Sequence, residues 1–240
     1  MTLGAMTRGT FITFEGGEGA GKSSQIRRLA ERLREAGLTV VLTREPGGSP
    51  GAEAVRHVLL SGAAEKLGPF AEAALFAACR ADHIDETIEP ALARGDWVLC
   101  DRFYDSTRVY QGAADNVDAG LIATLEKVAV GTRHPDLTLI LDVPVDVGLA
   151  RVAERAKANG DLDPDRFERN DRAVHETRRQ AFLDIAKAEP DRCVVIKATG
   201  DMDAIAEAIW SVVSERFGLL PGNAIAEPDL DHASEEGAPS

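Results

Sequence analysis

Apolar residues along this chain fall into short, nearly continuous runs, separated by stretches whose apolar positions recur with helical spacing. Thr10–Phe14 (TFITF) is a β-rich run halted by glycines. From Lys22 to Ala36, the residues Ile26, Leu29, Ala30 and Leu33 follow the i, i+3, i+4, i+7 rule and Gly37 supplies a stop, which predicts a helix. Leu38–Leu42 predicts a second strand, and the Pro/Gly loop Glu45–Gly51 leads to a helix over Ala52–Leu60. A long alanine-rich helical stretch is expected over Pro69–Ala93, broken or kinked near Pro90. Trp97–Cys100 predicts a third strand entering Asp101, Leu121–Val130 a helix, and Leu137–Val143 a fourth strand, apolar until Asp142. A helix from Asp146 to about Ala158, a polar arginine-rich segment, a helix continuing to about Ala188, a fifth strand over Cys193–Ile196 and a last helix over Asp203–Phe217 complete the pattern.

Strands that are apolar throughout, rather than at alternate positions, are covered on both faces, and strands alternating with helices pair in parallel. The expected fold is therefore α/β: a doubly wound five-stranded parallel sheet with helices on both faces. Functional residues are expected beyond the carboxyl ends of its strands. A length of 240 residues suits one such domain, expected over 10–218 after a flexible N-terminus (1–9). Solenoid-period repeats are absent from the sequence.

From Leu219 to Ser240 the chain carries five acids and no Lys or Arg, with prolines, glycines and no apolar period, so 219–240 is expected to be a disordered acidic tail. Those five acids leave about −8 of the formal −13 charge on the remainder. Such a balance argues against nucleic acid as a partner, which needs a basic footprint. No apolar run approaches the roughly 20 residues of a membrane span. Met1–Thr10 lacks the apolar core of a signal peptide, and Met6 is a candidate alternative start. Cys79, Cys100 and Cys193 show no metal spacing and read as small buried hydrophobes, which suits a reducing cytoplasm.

The candidate chemistry begins at Gly16-Gly17-Glu18-Gly19-Ala20-Gly21-Lys22-Ser23, followed by Ser24, a full G-x-x-x-x-G-K-[ST] match between a strand and an amphipathic helix. Glycines let successive backbone N–H groups turn inward around phosphate oxygens, and the helix adds its positive end. Lys22 is placed to reach the β- and γ-phosphates and Ser23 to ligate Mg²⁺, so ATP or GTP binding is expected. The chain is too short for a motor with effector domains, and guanine-reading N-K-x-D motifs are absent, which leaves a small-molecule kinase as the leading class.

The third strand runs into a second motif, Asp101-Arg102-Phe103-Tyr104-Asp105-Ser106-Thr107-Arg108-Val109-Tyr110-Gln111. At that strand end an aspartate can hold Mg²⁺ and an arginine can clamp phosphate, although an isolated Asp-Arg pair is equally readable as a surface ion pair. The run resembles the D-R-[YFH]-x-x-S-x-x-[AV]-[YF] signature of thymidylate kinases. Three further runs occur in the order of that family: Phe14–Gly19, Thr43-Arg44-Glu45-Pro46-Gly47-Gly48, and Leu75-Phe76-Ala77-Ala78-Cys79-Arg80. The resemblance extends to about Phe217.

What the resemblance implies is specific. ATP with Mg²⁺ would phosphorylate dTMP, in a P-loop kinase fold with a lid at about 151–169, in a cytoplasmic homodimer. Phe76 would stack on thymine and Arg80 bond a base carbonyl, and as i and i+4 on one helix they share a face. Core packing for Phe76 and solvation for Arg80 remain the alternatives. Ser106, Thr107 and Gln111 would line the pocket, and Tyr110 would lie under the sugar and disfavour a ribose 2′-hydroxyl. Glu18 would accept the 3′-hydroxyl, Glu15 would sit near Mg²⁺ and the acceptor phosphate, and Arg102 with Arg44 would hold that phosphate; a structural hydrogen-bond acceptor for the loop is the alternative for Glu15, and an ordinary loop charge that for Arg44. Gly19 stands where some members carry an arginine. The catalytic arginine would then come from the lid, with Arg155 the best match, Arg151 second, and Lys157 and Asp161–Arg169 nearby.

A phosphate monoester is already largely ionised at pH 7, with a second pKa near ~6, so no general base is required. His57, His83, His134, His175 and His232 therefore read as bystanders. Two alternatives are a kinase of another nucleotide or of a deoxynucleoside, with Glu15 as base, and a regulatory P-loop NTPase, which gives Phe76 and Arg80 no purpose.

Overall fold

The computed structural model describes residues 8–159 and 170–219. Five strands, β1 (Phe11–Glu15), β2 (Val40–Arg44), β3 (Trp97–Asp101), β4 (Leu137–Asp142) and β5 (Cys193–Lys197), pair in parallel in the order β2-β3-β1-β4-β5. All of β1 is buried because both faces are covered. On one face Ile12, Phe14, Leu99 and Leu139 pack with Ile26, Leu29 and Leu33 of α1 (Lys22–Glu35) and Ile209 and Val213 of α9 (Met202–Phe217). On the other, Phe11, Val98 and Cys100 meet Ile84, Ile88, Leu92, Phe103 and Tyr104. This is the doubly wound α/β sheet that the apolar runs predict. The three cysteines are buried, and among the described residues no helix is long and apolar enough to cross a membrane.

Several boundaries move for identifiable reasons. β2 starts at Val40, two residues late, because Gly37 and Leu38 close α1: Gly37 N donates to Arg34 O and Leu38 N to Leu33 O. After α2 (Pro50–Leu60) and a 3₁₀ turn (Glu65–Leu67), the long helix runs as α3 (Gly68–His83), a π-helical turn (Ile84–Ile88) and α4 (Glu89–Ala93). The wide turn precedes Pro90, which lacks an N–H and whose ring crowds the carbonyl four residues back. A helical run missed by periodicity, α5 (Tyr104–Thr107) continuing in π form over Arg108–Ala114, buries Asp105, Thr107 and Gln111. Those polar residues share the buried face with Tyr104, Val109 and Tyr110, which breaks the hydrophobic period. The remaining helices are α6 (Ala119–Val130), α7 (Val145–Asn159) and α8 (Arg172–Ala188). Residues 1–7 of the expected N-terminal segment, 160–169 of the expected lid and 220–240 of the expected tail lie outside the described residues.

Candidate active site

β1 is the central strand, so the loop leaving its carboxyl end opens where connections diverge to both sides of the sheet. Gly16 and Gly19 adopt φ of 133° and 68°, and a Cβ on either would overlap a carbonyl oxygen, of Leu141 and of Gly148 respectively. An arginine at position 19 therefore has no room in this packing. The N-terminus of α1 carries no side-chain cap and no acid in its first turn, which leaves its amides to the cradle. Lys22 Nζ donates to the carbonyls of Gly16 and Gly17 at 2.9 and 3.0 Å. Burial, and then repulsion from Arg102, push its ammonium down to about 8 against the pull of Glu18 and Asp101. Ser23 Oγ donates to Asp101 Oδ2 at 2.6 Å.

β3 lies beside β1, with Phe14 opposite Asp101, and this register delivers the second motif to the cradle. Arg102 has φ of 70°, a left-handed conformation costly for a residue with a side chain. It aims Nη2 at Glu18 Oε1 (2.7 Å) and Nη1 at Ser106 Oγ (3.2 Å) and Gly16 O (3.3 Å). Glu18 also accepts from the Tyr110 hydroxyl at 2.6 Å. Burial would raise the Glu18 carboxyl, but Arg102, Lys22, the Tyr110 hydroxyl and Arg178 hold it down at about 2. Glu15 is fully buried and accepts from Phe103 N (2.8 Å), Ser106 N (3.2 Å) and Ser106 Oγ (2.7 Å), so it anchors the motif from beneath. Burial and then Asp105 push its carboxyl up to about 7.

A second cleft opens beside the cradle, walled by Phe76, Arg80, Thr107, Tyr110 and Gln111. Phe76 is half-buried, whereas Arg80 is almost wholly enclosed. Arg80 Nε donates to Glu45 Oε2 at 2.8 Å and Nη2 to Thr107 Oγ1 at 3.1 Å. His83, 0 % exposed, holds the other Glu45 oxygen through Nδ1 (3.1 Å) and meets Thr43 Oγ1 through Nε2 (2.6 Å). Gln111 Nε2 donates to the buried Glu72 at 2.8 Å. Arg44 lines the rim, half-exposed and paired with Glu53 at 3.0 Å. Glu45, His83 and Glu72 carry no role in the sequence reading. The signal for His83 was its i+3 spacing from Arg80 on α3.

The cradle side is lined by Gly19–Ser24 with Arg155 of α7. Arg151 instead donates to the carbonyls of Gly19 (3.4 Å) and Ala198 (3.0 Å), bracing the loop. Lys157 is exposed on α7, and Asp161–Arg169 lie outside the described residues. Glu18, Ser23, Arg56, Asp101 and Arg102 line both clefts and form the seam between them. Arg56, on α2, was absent from the sequence reading; its Nη1 donates to Pro46 O at 2.6 Å.

Among the described residues no group of three or more His, Cys, Asp or Glu forms a metal cage. The Ser23–Asp101 pair of hard oxygens fits a Mg²⁺ ion whose other ligands are phosphate oxygens and water.

The family model for thymidylate kinase matches residues 14–209. The chain is 57% identical over 209 residues to the thymidylate kinase of Nitrobacter winogradskyi, covering 87% of this chain and 90% of that one. It is 52% identical over 219 residues to that of Bradyrhizobium diazoefficiens, covering 91% and 95%. The crystal structure of thymidylate kinase from Ehrlichia chaffeensis superposes with a TM-score of 0.68 at 35% identity, covering 86% of this chain and 99% of that one. With four motifs converging on one pair of clefts, and with relatives matched along nearly their full length, this chain belongs to the thymidylate kinase family.

Proposed function

We infer that the protein is an ATP-dependent kinase that converts dTMP to dTDP. The observation that carries the mechanism is the seam: a phosphate cradle opens directly onto a base-sized cleft, and Glu18, Ser23, Arg56, Asp101 and Arg102 border both. ATP lies in the cradle, its β- and γ-phosphates met by Lys22 and the amides from Gly17 to Ser24. Phe76 stacks on thymine and Arg80 donates to a base carbonyl; Glu45 and Thr107 already fix its fork, so little ordering remains at binding. Thr107 and Gln111 complete the wall. Tyr110 lies under the sugar, where its bulk opposes a 2′-hydroxyl, and Glu18, an anion and hence a pure acceptor, takes the 3′-hydroxyl.

Arg102 and Arg44 hold the acceptor phosphate. One of its oxygens attacks the γ-phosphorus in line; the P–O bond to the β-phosphate breaks and ADP leaves with that electron pair. The barrier is the approach of two polyanions, which Lys22, Arg102 and Arg155 oppose; a well-placed arginine contributes roughly 10³ to 10⁵ in rate. Mg²⁺ carried by ATP would be held by Ser23 and Asp101 and supplies further positive charge. Glu15 acts through the motif it anchors. A deoxynucleoside kinase using Glu15 as base is disfavoured, because that carboxyl is enclosed and engaged by Phe103 and Ser106. The protein works in the cytoplasm as a homodimer, with exposed Phe70 on α3 and Val128 on α6 as candidate contacts.

ADP release measured across a panel of nucleoside monophosphates, with thymidine alongside, tests this reading. Turnover should be fastest with dTMP and negligible with thymidine; preference for thymidine would overturn it.

A further inference from the structure

α8 supplies none of the four sequence motifs, yet it buries an arginine beside the acceptor cleft. Arg178 is 2 % exposed, and its guanidinium carbon lies 4.3 Å from the centre of the Tyr110 ring. Arg102 approaches the same ring at 5.1 Å. One turn further along α8, Phe182 meets Tyr110 edge-on at 6.5 Å. Two residues at i and i+4 of one helix therefore grip one tyrosine, whose hydroxyl is fixed by Glu18. Arg178 also borders, with Gly17 and Glu18, a small cavity behind the cradle.

A buried guanidinium is costly unless its charge is met, and an aliphatic side chain would pack α8 against the sheet without that cost. Here the charge is met by the face of an aromatic ring and by the field of Glu18, whose low pKa it helps to maintain. Without Arg178, Tyr110 loses one of the cations held over its ring, and the ring gains freedom to yield to a bulkier sugar.

We propose that Arg178 is a positioning residue for sugar specificity, pinning the Tyr110 ring so that a 2′-hydroxyl is rejected. The proposal rests on the reading that Tyr110 faces the sugar. It acts on recognition, so it predicts a change in selectivity and not a general loss of rate.

The test compares kcat/KM for dTMP with that for the ribose analogue, ribothymidine monophosphate, in wild type, Arg178→Met, Arg178→Lys and Tyr110→Ala. Arg178→Met keeps the volume and removes the charge. Its deoxy-to-ribo ratio should fall about tenfold, through a lower KM for the ribonucleotide, with kcat for dTMP within about threefold and the KM for ATP unchanged. Arg178→Lys, retaining the cation, should recover part of the ratio and stands in should the methionine variant not fold. In a Tyr110→Ala background, Arg178→Met should change the ratio no further. If Tyr110→Ala alone leaves the ratio unaltered, the reading of Tyr110 is wrong and the proposal falls with it. If Tyr110→Ala changes the ratio while the Arg178 variants stay within twofold of wild type, only the role of Arg178 is overturned.

Discussion

Replacing Glu45 with leucine is the most informative single change in the acceptor cleft. The Arg80 and Glu45 side chains are 2% and 3% exposed and 2.8 Å apart, so neither is screened by solvent. Glu45→Leu keeps much of the volume but strands the Arg80 guanidinium and the His83 ring nitrogen without their acceptor. Breaking a buried pair by removing one partner costs about 3–5 kcal/mol. For a domain of this size each kcal/mol moves Tm by about 2–4 °C, which predicts a drop of about 6–20 °C. The double variant Glu45→Leu/Arg80→Leu removes the whole ion pair and should regain at least half of that loss, while still failing to bind dTMP well. Tm is read by circular dichroism, and dTMP saturation by steady-state kinetics. A Glu45→Leu protein within about 2 °C of wild type, or a double variant less stable than the single, would refute the claim that this pair organises the cleft.

Three further outcomes follow from the geometry. Arg155→Ala should lower turnover at least about tenfold with little change in ATP affinity, whereas Arg151→Ala, which unbraces the Gly19 and Ala198 carbonyls, should chiefly lower Tm; steady-state kinetics and melting curves separate the two. A Cβ on Gly148 would overlap the Glu18 carbonyl oxygen, so Gly148→Ala should cost about 1–3 kcal/mol in denaturant titration and raise the KM for ATP several-fold. Glu15 holds its proton more tightly when folded, at about 7 against an ordinary 4.5, so the folded state binds more protons in that window and stability falls as pH rises through it. Tm of wild type should therefore decline as pH rises from 5 to 7, and Glu15→Gln should flatten that decline when both are measured across the range.

The sheet, the cradle and the second motif were legible because each is a contiguous run whose chemistry is local: apolar strands, a glycine-rich turn, an Asp-Arg pair at a strand end. What escaped the sequence is brought together only by topology. Placing β3 beside β1 carries Ser106 onto Glu15, which favours the structural acceptor among the two roles open to that carboxylate in the sequence. Helix α5 was invisible because it is one turn long and buries the polar Asp105 and Thr107 beside Tyr104, which leaves no apolar period. Arg56 and Arg178 sit on amphipathic helices as arginines indistinguishable from solvated ones, and only the packing of α2 and α8 against the clefts separates them. His83 read as a bystander since its partners Glu45 and Thr43 lie some 40 residues away, on another element.

Incubating the purified protein with Mg²⁺, γ-³²P-labelled ATP and dTMP, then resolving the products, tests the central claim directly. If the two clefts share one seam across which a phosphoryl group passes, the label appears in dTDP, with free phosphate at background. Label released as inorganic phosphate at a rate indifferent to dTMP would contradict the account.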